Sequence, residues 1–205
     1  MPDVHVPKLG EHTTGKSIVH IALEVILIST GVFLGLMGEQ WRERSHQREL
    51  AEQALRRFRT EITENRKAVE GVRDYHVTLQ KQLQTEYDKP PAKRNPGNIE
   101  IHGIRPANFD QAAWDLALGT QSLAYIDSDL GLSLSNIYNV QGRISEMTRG
   151  IIGSMYLAPP IDDRNTSTFM GALLIYYGDM VILEPRLLTM YGDALQKIDK
   201  ALGDH

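Results

Sequence analysis

Cysteine is absent from all 205 residues. Its absence excludes disulfides, thiolate metal sites and a lipid-bearing cysteine. An excess of positive charge is missing too: 22 Lys and Arg against 26 Asp and Glu give a net charge of -4, with a pI near 6.0. No overall basic field exists to draw the chain to nucleic acid. Catalytic signatures are likewise missing. There is no HExxH, phosphate-binding glycine loop, nucleophile elbow or EF-hand loop. A mean hydropathy of -0.30 rules out a polytopic membrane protein, leaving room for one span in a polar chain.

That span is residues 18–38, IVHIALEVILISTGVFLGLMG. As a helix it would be about 31 Å long at about 1.5 Å per residue, close to the hydrocarbon thickness of a bilayer. Leu36 and Gly38 do not form the small-x-small site of a cleaved signal peptide. Trp41 followed by Arg42 and Arg44 marks a membrane boundary, with an amphipathic ring and snorkelling cations. The expectation is a retained transmembrane helix after a mobile lead-in of residues 1–17, where His5 and His12 read as solvated side chains. Lys8 and Lys16 precede the span, whereas Arg42, Arg44, Arg48, Arg56 and Arg57 follow it. Five against two puts the bulk of the chain on the cytoplasmic side.

Glu24 is the sharpest feature of the span. An acid at the centre of a membrane helix costs about 2.5–3.5 kcal/mol on insertion scales. Glu24 sits about 9 Å in from Ile18, one turn from His20. Partner recognition, tolerance near the boundary and a proton relay are the three readings it leaves open. Gly31, Gly35 and Gly38 form a small-residue stripe that lets another helix approach closely, either another copy or a different membrane subunit.

From residue 39 to 87 the chain reads as one stalk helix continuous with the span, a rod of roughly 65 Å. Leu55, Phe58, Ile62, Asn65, Val69, Val72, His76, Leu79 and Leu83 step alternately by three and four, the seam of a coiled coil or long bundle helix. Asn65 and His76 are polar at seam positions. Such residues fix register and oligomer number, unless the seam is partly exposed there. Residues 88–107, with KPPAKRNPGN, read as a long loop. Residues 108–205 read as a helical bundle packing on the stalk. Asn108 or Asp110 would cap a helix through AAWDLALGTQSLAYI. A longer helix, capped by the Asp127-Ser128-Asp129 turn, would run from about Leu130 to Leu157 and stop at Pro159-Pro160. The last helix contains GALLIYYGDMVILEP, apolar enough to raise the question of a second span. Asp179, Glu184 and Pro185 argue instead for a buried bundle helix, with Pro185 kinking or restarting it.

The segment IALEVILISTGVFLGLMGEQWRER resembles the start of a group of small bacterial single-pass membrane proteins of unknown function. FDQAAWDLALGTQSLAYIDSDLGLSLSNIYNVQ is similar to their middle region. The resemblance implies architecture and a bacterial inner membrane, and carries no chemistry. Acid–base candidates are His76 with Asp74, His102, and the pair Asp162 and Asp163, none at diagnostic spacing. Asp179 and Asp193 read as helix-interior or capping features.

The fold expected is all-α: an N-terminal transmembrane helix continuing into a long stalk helix, then an antiparallel helical bundle. The function expected is non-enzymatic, an accessory or scaffold subunit of a larger membrane complex such as a respiratory, photosynthetic or transport assembly. The alternative is a homo-oligomeric membrane-anchored signalling or sensor module. Its partners would be the lipid bilayer and other membrane subunits or a second copy. No cofactor or metal is implied.

Overall fold

A computed structural model describes residues 14–157 and 165–203, with side chains from His20 onward. His5, Lys8, His12, Asp162, Asp163 and the Pro159-Pro160 stop lie outside the described residues, as does the Lys16 side chain. The described residues form four α-helices: α1 Thr14–Tyr87, α2 Ala112–Gly119, α3 Ser128–Leu157 and α4 Thr166–Gly203. No strand occurs among the described residues. The chain divides into two compact units, Met1–Arg48 and Glu49–His205, and α1 contributes to both.

In the second unit α1 is a bundle helix along its length. The helix expected over residues 39–87 continues unbroken from the apolar run, and the later helices pack on it from Glu49 onward. Its seam is buried: Leu55, Phe58, Ile62, Asn65, Val69, His76, Leu79 and Leu83 face inward, with Val72 half-buried beside them. The outer face carries ion pairs at helical spacing, Arg66 with Glu70 and Lys67 with Glu64, both at 2.8 Å. Each such pair adds about 0.2–0.5 kcal/mol to a helix. Burial of the seam adds far more, at about 1.5–3 kcal/mol for each large apolar side chain.

Side-chain contacts give the helix directions. Arg59 meets Asp199 at 2.6 Å and His76 meets Glu184 at 2.6 Å, so α4 runs antiparallel to α1. Gln141 donates to the Tyr191 hydroxyl, and the Thr148 and Tyr176 hydroxyls are bonded, so α3 also opposes α4. It follows that α1 and α3 run the same way. The chain must therefore travel back along α1 before α3 can begin, and residues 88–111 make that return. They form an extended strap with two short 3-10 turns, Pro91–Lys93 and Pro96–Asn98.

Local sequence explains several ends. Asp127 Oδ1 accepts from the backbone amides of Asp129 and Leu130, each at 3.0 Å, which caps α3 where the Asp-Ser-Asp turn predicts. α2 is shorter than expected: it stops at Gly119, Gln121 turns left-handed at φ 57°, and a separate 3-10 turn covers Ser122–Tyr125. Neither Asn108 nor Asp110 caps it; Gln111 stands at the N-cap without a side-chain bond. Pro185 lies inside an uninterrupted α4, so the helix does not restart there.

Among the described residues two helical stretches are long and apolar enough to cross a membrane. The one beginning at His20 reaches a mean hydropathy of 2.1 with none of its window buried; α4 reaches 1.3. α4 buries Met170, Leu173, Tyr177, Met180, Leu187, Tyr191, Ala194 and Ile198 at helical spacing, the pattern of a bundle helix. Its outward face still shows Ile175 and Ile182.

Candidate functional site

Two sets of residues are set apart from ordinary packing: a bare helical surface in the first unit and a buried polar line in the second.

In the first unit α1 is exposed on every side from His20 to His46. Ile21, Leu23, Val25, Ile26, Leu27, Ile28, Val32, Phe33, Leu34, Leu36 and Met37 are all more than half exposed. At about 100° per residue, large apolar side chains cover most of the circumference. The remaining arc, about 60° wide, holds His20, Glu24, Gly31, Gly35 and Gly38. A Cβ placed on any of these three glycines meets no atom within 4 Å, so the stripe is open to a neighbour. Trp41 is 78% exposed. Arg42 pairs with Glu39 at 2.7 Å, and Arg44 is exposed.

The buried polar line lies along the seam. Asn65, 1% exposed, makes a two-way bond with the backbone of Asp110: its amide donates to the carbonyl at 2.9 Å, and its oxygen accepts from the N–H at 2.8 Å. His76 is fully buried. Its Nε2 faces only backbone carbonyls, Arg105 O at 2.9 Å and Ile104 O at 3.3 Å, and therefore carries a proton. Its Nδ1 is joined to Glu184 Oε1 at 2.6 Å. Neither polar seam position is exposed: Asn65 and His76 face the chain's own strap and α4. From Leu55 to His76 the seam packs into the chain's own core, with Val72 only half-buried.

Further α1 side chains continue the line. Glu61 accepts from the Tyr138 hydroxyl at 2.5 Å and from the Ala113 amide at 2.7 Å, so it caps α2 from another helix. Tyr75 donates to Gly103 O at 2.6 Å and accepts from the His102 amide at 3.0 Å. Gln82 accepts from the Glu100 amide. Glu86 accepts from Lys89, Asn98 and the Asn95 amide. These donors, Lys89 first, hold the Glu86 carboxyl down at about 2. Burial raises the Tyr138 hydroxyl well above its usual range, with the Glu61 carboxylate adding to the shift. Burial also raises Tyr176, Tyr177 and Tyr191.

The seam identifies Asn65 and His76 from sequence, but Glu61, Tyr75, Gln82, Glu86, Tyr177 and Glu184 are found only in three dimensions. Glu184 carried a signal, being an acid in an apolar helical run. Nothing local paired it with a histidine 108 residues away.

Among the described residues the acid–base candidates do not assemble. Asp74 is exposed and His76 turns to Glu184 instead; His102 is exposed and engages the line only through its backbone amide. Both His76 nitrogens are occupied within the core, so the ring cannot reach a substrate. An open groove of about 560 Å³ runs past Arg56, Arg57, Glu64, Asp110 and Leu116. Both oxygens of Glu61 at its edge are already bonded. Among the described residues no three His, Asp or Glu side chains gather as metal ligands. Set against protein-family models, curated proteins and solved structures, the chain matches none.

Proposed function

We propose that this is a single-pass, non-enzymatic membrane protein, an accessory or scaffold subunit that packs against other membrane helices and presents a helical bundle. The observation that carries the reading is the contrast between the two units. Side chains 20–46 are bare around the whole helix, while the unit from Glu49 closes its own core. An apolar helix of this length without cover fits hydrocarbon. Trp41, Arg42 and Arg44 then lie at the boundary, with the bundle on the cytoplasmic side of a bacterial inner membrane. Glu24, His20, Gly31, Gly35 and Gly38 form the face that meets a partner helix.

The test is purification in mild detergent followed by mass spectrometry. A stoichiometric membrane subunit that is lost on Glu24→Leu or Gly35→Leu supports the proposal. A homodimer held by the same residues favours the sensor alternative, and with the seam buried that contact must lie in the span. A monomer retaining no membrane protein sinks both. A reporter fused at His205 that is active only outside the cytoplasm overturns the orientation.

A further inference from the structure

The strap of residues 88–111 is fastened in an unusual way. It makes no backbone ladder with any element. Side chains of α1 instead reach its backbone in register order: Glu86 to Asn95, Gln82 to Glu100, Tyr75 to His102 and Gly103, His76 to Ile104 and Arg105, and Asn65 to Asp110. From α4, Tyr177 adds bonds to the carbonyls of Gly103 and Ile104. Apolar anchorage is thin by comparison. Only Ile99, Ile104 and Ala107 of the strap are buried, at 7–9% exposure, against 0–2% for Phe58, Ile62, Leu134, Ile144 and Tyr191 in the bundle.

One of the two left-handed non-glycine residues among the described residues lies at the fastening point, the other being Gln121. Gly103 has φ 88°, which glycine adopts freely, and Arg105 has φ 46°, a left-handed backbone that disfavours a residue with a Cβ. These two turns aim three successive carbonyls at Tyr75, Tyr177 and His76. Arg105 is held in this conformation by the bond from its carbonyl to His76 and by its guanidinium, which donates to His102 O and lies over the Tyr75 ring. The helix contacts of the bundle do not run through the strap: Glu61 with Tyr138, Phe58 against Tyr138, Arg59 with Asp199, His76 with Glu184, and Gln141 with Tyr191 all join helices directly.

We propose that the strap is a conformational device that opens as a unit at 103–105 while the three long helices stay packed, uncovering the face of α1 between Asn65 and Gln82. A segment with little buried apolar surface, polar fastenings and stored backbone strain opens at lower free energy than the core it covers. The device is independent of whether the first unit lies in a membrane.

Hydrogen exchange read by mass spectrometry on the full chain in detergent micelles tests it. In the native protein, amides of 97–111 exchange ahead of those in 134–148 and 173–191. Gly103→Ala is a clean perturbation, since the new Cβ meets no atom within 4 Å and only the left-handed φ is penalised. It speeds strap exchange roughly tenfold. Tyr75→Phe keeps the ring and removes two hydrogen bonds, with a similar acceleration. Exchange in α3 and α4 stays unchanged in both. Equal acceleration across strap and helices would mean that the strap opens only with global unfolding, and would overturn the proposal. So would no acceleration in either variant, or native strap amides as slow as those of α3.

Discussion

His76 and Glu184 show how a single pair links distant parts of a chain. The ring sits on α1, the carboxyl on α4, and the second ring nitrogen holds the strap. Removing one partner strands the other in the core. His76→Leu is expected to cost about 3–5 kcal/mol in chemical unfolding, because Glu184 loses its only hydrogen-bond partner. The double replacement His76→Leu with Glu184→Leu is expected to cost less than that single one, since no buried carboxyl remains. Near-UV circular dichroism follows both, using the Trp114–Tyr138 stack at 4.9 Å as reporter. A double variant weaker than the single would refute this account.

Glu86 gives a pH dependence with a defined sign. Its carboxyl is lowered from 4.5 to about 2 in the folded chain by Lys89, Asn98 and the Asn95 amide. A lowered carboxyl contributes stability that is fully present above 4.5 and is lost as pH falls towards 2. Wild type should therefore exceed Glu86→Gln in stability at pH 6, and the gap should narrow steadily below pH 4.5 and be largely gone only by about pH 2. A gap that stays constant across that range in urea unfolding would show that the carboxylate charge is not what holds the strap's first turn.

At the level of elements, α2 depends on a neighbour for its start. Eight residues are too few for a stable isolated helix, and no local side chain caps it. Glu61 supplies the missing acceptor, with one oxygen for Ala113 and one for Tyr138. Glu61→Gln keeps the shape but turns an amide NH₂ towards one of two donors. The expected loss is about 1–3 kcal/mol, with amides at the start of α2 exchanging faster and those of α4 unchanged. Unaltered exchange in α2 would remove the cross-helix cap from the account.

The seam was legible in the chain because a helix buried on one side repeats every three or four residues. Leu55 through Leu83 do so, whatever covers them. Which residues cover them was not legible. The same heptad pattern serves a coiled-coil partner or the chain's own bundle; a bundle packing on the helix is expected, but not which residues of the strap and α4 meet the seam. The end of α2 was overrun for a related reason. Apolar residues continue through Leu123 and Tyr125, while the left-handed turn at Gln121 carries no glycine to announce it.

For the molecule as a whole, the division at Arg48 makes a direct prediction. A chain beginning at Glu49 keeps every helix contact of the second unit and sheds the bare surface of residues 20–46. It should fold without detergent, unfold cooperatively and show the near-UV spectrum of the intact protein. Aggregation or a broad, non-cooperative transition would mean that the bundle core is incomplete without the first unit.

By itself the sequence determined the helical class, the buried face of α1, the cap of α3 and one bare apolar run of spanning length. These follow from periodicity, composition and short-range hydrogen bonding, which act within a few residues. Tertiary structure alone decided that the seam is closed from within. It set Glu184 against His76, lent Glu61 to α2, and laid the strap's backbone along α1. Those choices join residues tens of positions apart through side chain–backbone bonds. Such bonds place few demands on the strap's own side chains, and so leave almost no trace in its sequence.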